Sequence, residues 1–169
     1  MRKKGVRNRD FEAFYASEKN QCYRALLATV ADQHEADDLL AEAFTRAWKQ
    51  WDIVRAHPSP HAWIVRTALN LHRDRHRRSG NLKRYLVASK PVYEDVSTSL
   101  DPRLLAALRT LPEQQRLVLA FRVLLDLDTN QTAAELGIAP GTVTTHLKRG
   151  LTSLRTYLDR DQVLEVRES

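Results

Sequence analysis

The chain is poor in the residues that mark several large classes of protein. Its 169 residues include one cysteine, Cys22, which cannot form an internal disulfide and favours a buried structural thiol over a redox or catalytic group. No stretch approaches the run of about 18 apolar residues that spans a bilayer. The charged start at 1–10 is not followed by the apolar segment of a secretion signal. We therefore expect a cytoplasmic protein without membrane insertion.

Signatures of catalysis and metal binding are also scarce. The sequence has no glycine-rich phosphate loop and no nucleophile beside an identifiable base. Two histidine pairs, His57 with His61 and His72 with His76, have the i, i+4 spacing that can bind zinc on a helix. Neither pair has the intervening glutamate of a metalloprotease or a convincing third ligand, and the second pair lies in a cationic run that repels a metal ion. The sequence predicts no enzyme, no metal site and no cofactor.

Charge, by contrast, is abundant and segregated. The formal net charge is +6 and the pI is about 9.7, which makes a polyanionic partner plausible. Residues 32–42 hold five carboxylates and no Lys or Arg, whereas residues 71–84 hold six Lys or Arg and one Asp. This pattern favours one basic and one anionic partner, although ordinary solvated faces would also produce it.

Helical periodicity dominates, and no strand-like alternation is long enough to predict a sheet. Asp10 is predicted to cap a first helix. Asp32 is predicted to cap a second helix, in a capping-box arrangement with Glu35 three positions later. Ser59 as cap and Pro60 as first helical residue predict a third.

Between Ser79 and Asp101 the periodicity fades into a stretch with Gly, Ser and Pro, which is typical of a flexible linker. We therefore predict an all-α fold of two small helical domains, with a helix-turn-helix in the second. The predicted boundaries are 1–80 for the first domain, 81–100 for the linker and 101–169 for the second domain.

The helix-turn-helix is predicted from NQTAAELGIAPGTVTTHLKRGLTSLR. Gly137 supplies the positive φ of a sharp turn, and Ala133 permits a close helix crossing. No acidic residue occurs between Ala139 and Tyr157, which suits a DNA partner, although similar helix pairs occur in proteins that bind no DNA. The second helix is predicted to have a buried face formed by Ile138, Val143, Leu147, Leu151 and Leu154. Its outward face is predicted to present Thr142, Thr145, His146 and Arg149 to base edges. Lys148 and Arg155 suit contacts with phosphates.

The stretch WIVRTALNLHRDRHRRS, residues 63–79, has two faces on a helical wheel. Ile64, Ala68 and Leu71 form an apolar arc, whereas arginines and an asparagine occupy the other side. Trp63 falls in the polar arc. It either rests against the preceding loop or offers a flat ring on which a base stacks.

Three segments in order, DQHEADDLLAEAFTRAWKQW, HAWIVRTALNLHRDRHRR and LRTLPEQQRLVLAFRVLLDLDTNQTAAELGIAPGTVTTHLKRGLTSLR, together carry a family resemblance. The chain resembles the extracytoplasmic-function sigma factors of bacterial RNA polymerase, which are group IV of the sigma-70 family, and within them the actinobacterial SigE-like type. The likeness runs from about Phe11 to Leu158.

The resemblance implies a two-domain initiation factor whose partners are core RNA polymerase, through the β′ clamp helices and the β flap, and promoter DNA. It leaves room for an anti-sigma factor. In the family the segment ADDLLAEAFTRAWKQW docks on the clamp helices, and carboxylates beside exposed apolar groups suit such a basic, amphipathic partner. Alternatively, Phe44 and Trp48 are purely internal core residues, and for Trp48 this reading is at least as good as contact with the polymerase. The matching positions are Asp37, Asp38, Leu39, Glu42, Phe44 and Trp48.

For DNA, the resemblance implies that Trp63 lies at the upstream edge of the melted promoter and that the loop at 52–60 captures a flipped base. The implied minus-ten contacts are Trp63, Arg66, Thr67, Asn70, Arg73 and Arg77, and the implied minus-thirty-five contacts are Thr142, Thr145, His146, Lys148 and Arg149.

Two positions depart from the family pattern: Ala41 stands where relatives usually carry Gln, and His146 where they commonly carry a basic residue. The main alternative is an autonomous helix-turn-helix regulator that binds an operator by itself, typically as a dimer.

Overall fold

The computed structural model describes residues 2–79 and 100–168, with side chains described for 5–79, 100–160 and 162. Every regular element in these ranges is a helix, which confirms the all-α prediction. The chain divides into two compact units, Met1–Ser99 and Leu100–Ser169, each described here by itself. Apart from Leu100, which is buried, the predicted linker at 81–100 lies outside the described residues. No described helix combines the length and apolarity needed to cross a membrane.

The first unit is built on three long helices, α1 (Arg2–Val30), α2 (Gln33–Lys49) and α4 (Pro60–Arg78), with the single turn α3 (Trp51–Val54) between the last two. Each long helix packs against the other two. Their apolar arcs meet in a common core, because side chains at three- and four-residue spacing share one side of a helix. Its fully buried members include Leu26, Leu27, Leu39, Ala43, Ile64, Val65 and Ala68.

Local signals explain where two of these helices begin. The Asp32 carboxylate accepts a hydrogen bond from the Glu35 backbone N–H at 2.8 Å, which confirms the predicted cap of α2. Pro60 is the first residue of α4 as predicted, although the Ser59 side chain makes no capping hydrogen bond.

The prediction that Asp10 caps the first helix is wrong, because α1 runs through that position without interruption. The Asp10 carboxylate instead accepts a hydrogen bond from Trp51 Nε1 at 3.0 Å and lies 3.7 Å from an Arg55 guanidinium nitrogen. An apparent cap is therefore a tertiary contact that holds α1 against α3.

Cys22 is fully buried, as predicted for a structural thiol. Its Sγ lies 3.6 Å from the His61 carbonyl oxygen. Burial raises the pKa of the Cys22 thiol, and the nearby Glu18 carboxylate raises it further. The group therefore stays protonated and unreactive at neutral pH.

The second unit contains α5 (Pro102–Arg109), α6 (Glu113–Leu119), a π-helical turn (Ala120–Leu124), α7 (Thr129–Leu136) and α8 (Pro140–Glu168). Asp101 caps α5 through hydrogen bonds from the backbone N–H groups of Arg103 and Leu104. Pro112 directly precedes α6, and this helix widens into the π-helical turn, where the Leu125 N–H donates to the Ala120 carbonyl at 2.9 Å.

The pair α7 and α8 forms the predicted helix-turn-helix. A reciprocal capping box joins Asp128 and Gln131 at the start of α7, with distances of 2.7 and 2.9 Å. Gly137 ends α7 with φ +66°, the left-handed conformation that glycine adopts without steric cost. Buried Val118, Ala133 and Val143 then form a core with Leu136, Ile138 and Leu147.

One predicted core position on α8 is wrong. Leu151 was expected in the buried face, but its side chain is 47% exposed. The buried arc passes through Gly150 instead, where a Cβ atom would lie 3.0 Å from Leu119 Cδ1. The close approach of α6 at this glycine turns Leu151 outwards.

Candidate nucleic-acid interface

One face of α4 carries the side chains predicted to meet the minus-ten DNA. Asn70, Arg73 and Arg77 are exposed, whereas Trp63, Arg66 and Thr67 are half-buried. On the opposite side Ile64 and Ala68 are fully buried against the rest of the unit. The two-faced helix expected from the wheel is therefore present, and its polar face is accessible along the last three turns.

Trp63 lies in the first turn of α4, directly after the loop that the resemblance implies for base capture. The loop is shorter than expected, because α3 occupies its first positions and leaves only 55–59 between the two helices. Ser59 is buried, its N–H donates to His57 Nδ1 at 3.0 Å, and its carbonyl accepts from the Trp63 N–H at 3.1 Å. The half-buried tryptophan is thus held beside an anchored loop and keeps part of its ring surface open.

Some arginines of α4 have acidic partners. Arg75 Nη2 donates to Glu42 Oε2 at 2.8 Å and so ties α4 to α2, while Arg46 donates to the other Glu42 oxygen at 2.8 Å. Burial, the largest single influence, raises the pKa of the Glu42 carboxyl, but the hydrogen bonds and positive charges of Arg75 and Arg46 together outweigh it and hold that pKa below its usual value. Arg77 pairs with Asp74 on its own helix.

The acidic side of α2 is the candidate protein-binding surface. Asp37 and Asp38 are exposed at adjacent positions. Burial raises the pKa of the Asp37 carboxyl; His34 opposes this shift and the neighbouring Asp38 carboxylate adds to it. Two adjacent carboxylates of this kind would gain from a cationic partner.

The structure corrects the predicted docking set at Leu39 and Phe44. Leu39 is fully buried and Phe44 is 4% exposed, so neither side chain is available to a partner. Phe44 lies in an aromatic cluster, with its ring centroid 4.9 Å from Tyr15 and 6.1 Å from Phe14. Both residues support the surface from beneath.

Trp48 has a mixed environment, since its side chain is 36% exposed. Its ring packs on Phe11 with centroids 5.2 Å apart, and the Arg7 guanidinium lies 5.1 Å from the ring centroid. Arg7 also donates to the Trp48 carbonyl at 2.6 Å. One side of the ring packs internally and the rest is accessible, so the internal-core reading holds in part and the contact with polymerase stays a prediction.

The exposed face of α8 carries the predicted minus-thirty-five set, with one qualification. Thr142, Thr145, Lys148 and Arg149 are exposed. His146 is half-buried, and its Nδ1 is buried without a hydrogen-bond partner among the described residues. The outward stripe is therefore formed by hydroxyl, ammonium and guanidinium groups, while the imidazole lies partly inside the fold.

Sequence reasoning missed a cluster that joins α2 and α4. His72 Nδ1 lies 2.8 Å and His76 Nε2 lies 3.5 Å from the same carboxylate oxygen, Oε1 of Glu35. The sequence identified Glu35 only as part of a helix cap, because 37 positions separate it from His72. No local spacing rule could have paired them.

Comparison with known proteins follows the division into two units. Residues 14–81 match the family model of sigma-70 region 2, and residues 102–154 match that of sigma-70 region 4. The RNA polymerase sigma-E factor of Streptomyces coelicolor is 28% identical over 152 residues, which cover 88% of this chain and 86% of that protein. The ECF RNA polymerase sigma factor SigW of Bacillus subtilis is 29% identical, covering 83% of this chain and 84% of SigW.

Solved structures show the same fold. The sigma factor RpoE from Bartonella quintana, solved with the anti-sigma factor NepR, matches with a TM-score of 0.72 and 21% identity, over 89% of this chain and 97% of that one. CnrH, solved with the cytosolic domain of CnrY, matches with a TM-score of 0.64 and 23% identity, over 91% of this chain and 90% of that one.

Proposed function

The chain belongs to the sigma-70 family, as an extracytoplasmic-function sigma factor of RNA polymerase, and we propose that three of its surfaces direct promoter-specific transcription initiation. One surface docks core polymerase and two read promoter DNA. The observation that best supports the proposal is the order of two domains in one chain. A region 2 domain, in which helix α4 has a cationic face opposite its buried apolar face, is followed by a region 4 domain with a helix-turn-helix. The polymerase supplies the chemistry of RNA synthesis, so the chain acts as a non-catalytic factor in the cytoplasm.

The minus-ten surface is the polar face of α4 together with the loop at 55–59. The exposed Asn70 amide can donate to and accept from the edge of an unpaired base, while the exposed Arg73 and Arg77 suit backbone phosphates. Trp63 stacks on the base pair at the upstream edge of the melted region. The proposed contact set is Trp63, Arg66, Thr67, Asn70, Arg73 and Arg77.

The minus-thirty-five surface is the exposed face of α8. Thr142 and Arg149 lie seven positions apart, close to two turns, so their side chains follow one groove of duplex DNA. The Thr145 hydroxyl donates to the Gly141 carbonyl at 3.0 Å, which leaves its oxygen lone pairs able to accept from a base amino group. The proposed contact set is Thr142, Thr145, His146, Lys148 and Arg149.

The docking surface is the acidic side of α2, with Asp37, Asp38 and Glu42 facing the β′ clamp helices and the open side of Trp48 beside them. Leu39 and Phe44 act through the fold, since both are buried. The region 4 domain would meet the β flap. We propose domain limits of 1–80 and 101–169, joined by a linker at 81–100. We also propose an anti-sigma factor as a further partner, as in the structure of RpoE with NepR.

A gel-shift titration with and without core polymerase tests the proposal. We expect the isolated protein to bind a promoter fragment weakly. With core polymerase present, we expect the affinity for the promoter fragment to be at least about 100-fold greater than for a fragment of equal length without a promoter. The Arg149→Ala variant should lower that preference. Tight operator-like binding by the isolated protein, unchanged by core polymerase, would instead support an autonomous regulator.

A further inference from the structure

A cluster of two histidines and one glutamate links α2 to α4, on the side of the first unit where the two helices pack. The side chains of Glu35 and His72 are about one-quarter exposed, at 22% and 24%, and that of His76 is 44% exposed. One ligand atom from each residue lies within 4.8 Å of the other two. We propose that Glu35, His72 and His76 form a binding site for a divalent transition-metal ion of the zinc class.

The donor set has the chemistry that such ions prefer. Zinc binds imidazole nitrogen at about 2.0–2.1 Å and carboxylate oxygen at about 2.0–2.2 Å, commonly in a tetrahedron. His72 and His76 are four positions apart in α4, so their rings lie on one side of the helix, with centroids 4.0 Å apart. Glu35 approaches from α2 and supplies the third ligand. Two histidines and one glutamate leave a fourth position for water.

The convergence of the two rings distinguishes this cluster from a simple ion pair. Glu35 Oε1 lies 2.8 Å from His72 Nδ1. Here a second imidazole nitrogen, His76 Nε2, approaches the same oxygen to 3.5 Å. A tetrahedral ion requires donor separations of about 3.3–3.5 Å, so metal binding would draw together three ligand atoms that now lie within 4.8 Å of one another.

The surrounding charge does not exclude a cation. Arg75 and Arg77 flank His76 in the sequence and have acidic partners, Glu42 at 2.8 Å and Asp74. Arg73 and Arg78 are exposed to solvent, where salt screens their charge. The Glu35 carboxylate itself contributes a negative charge to the site. The partial exposure of His76 gives an ion a path from solvent.

A bound ion would fasten α2 to α4, the two helices whose outer faces carry the proposed docking and minus-ten surfaces. Ligands from separate helices bind the ion together only in the folded state, so metal binding should stabilise the first unit. Metal binding does not depend on the proposed function, because it can be measured without polymerase or DNA.

The test is a zinc titration of the full, untagged chain after removal of metal by EDTA and dialysis, read against a chromophoric chelator of known affinity. We expect one ion per chain and a rise in Tm that EDTA reverses. Nickel and cobalt should compete, and magnesium should not, since it prefers an all-oxygen site. Absence of stoichiometric binding would overturn the proposal.

Variants assign the ligands. His76→Ala and Glu35→Gln should each weaken zinc binding by at least about 100-fold, because losing a group that merely orients a ligand already costs about 10- to 100-fold. The double variant His57→Ala/His61→Ala is the matched control. That pair has the same spacing, but His57 precedes the first residue of α4, so the two histidines do not lie on one helix. Circular dichroism checks that each variant stays helical. If the control abolishes binding, or the cluster variants bind zinc as tightly as the natural chain, the site is not at Glu35, His72 and His76.

Discussion

Among single residues, Trp63 has the most specific role in the proposed mechanism. It is half-buried in the first turn of α4, behind a loop fixed by hydrogen bonds through Ser59. A half-buried ring has less freedom to lose when a base stacks on it than a fully exposed one, so its contribution should appear when the promoter melts.

We predict that Trp63→Ala reduces open-complex formation and changes initial promoter binding much less. Base stacking on an aromatic ring contributes about 1–3 kcal/mol, which corresponds to roughly 5- to 150-fold in the melting equilibrium. Permanganate reactivity of promoter thymines, with holoenzyme at saturating concentration, measures the effect. Trp63→Phe keeps an aromatic ring and should retain much of the melting. Normal thymine reactivity in the alanine variant would contradict the stacking role.

Residue patterns predicted the faces of helices well and the availability of single side chains less well. The apolar arc of α4 is buried as the wheel indicated, because the i, i+3, i+4 rule depends only on helix geometry. Leu39 and Phe44 match a docking pattern and yet lie inside the fold. A one-dimensional pattern cannot separate them from exposed neighbours, since Tyr15 and Phe14 of α1 cover Phe44 from elsewhere in the sequence.

At the level of helices and turns, the helix-turn-helix depends on one backbone conformation. Gly137 has φ +66°, and no atom lies within 4 Å of the position a Cβ would take. Substitution there would therefore strain the backbone without causing a packing clash.

We predict that Gly137→Ala destabilises the second unit by about 1–2 kcal/mol, because an L-residue in the left-handed region costs that much. Gly141→Ala is the control: a Cβ there also meets nothing within 4 Å, and no positive φ is required. Alanine at that helical position should be neutral or slightly stabilising. Thermal unfolding of both variants gives the comparison. Equal changes in Tm would show that turn conformation is not the cause.

Helix starts and ends were predictable where the signal is local and missed where the partner is distant. Asp32, Pro60 and Gly137 act through their own turns, and each begins or ends a helix as expected. Asp10 looked like a cap, but its partner is Trp51, 41 positions away. Leu151 is exposed because α6 packs at Gly150, a contact that periodicity does not encode.

For the whole molecule, function depends on the docking surface acting together with the DNA-reading surfaces. Binding to core polymerase is the first step, and in the proposed docking mode the exposed carboxylates of α2 would provide its electrostatic part.

We predict that Asp38→Arg weakens association with core polymerase by about tenfold or more, because the reversed charge repels a basic partner. Glu12→Arg makes the same charge change at an exposed position of α1 and should have little effect. A quantitative pull-down with purified core, paired with circular dichroism, measures affinity and fold together. Unchanged affinity with unchanged helicity would contradict the assignment of this surface.

At this scale the sequence predicted the all-α class and the two helical domains, because helix periodicity and a composition shift are both visible in one dimension. It could not predict the link between α2 and α4 through Glu35, His72 and His76, since that link depends on how separate helices pack.

The most direct measurement is in vitro transcription with purified core polymerase across a set of genomic fragments. The account predicts transcripts from defined start sites on a small subset of fragments, only when core and this chain are both present. It also predicts that these fragments share a minus-ten and a minus-thirty-five element. Transcription by core that is unaltered by the chain on every fragment would contradict the central claim.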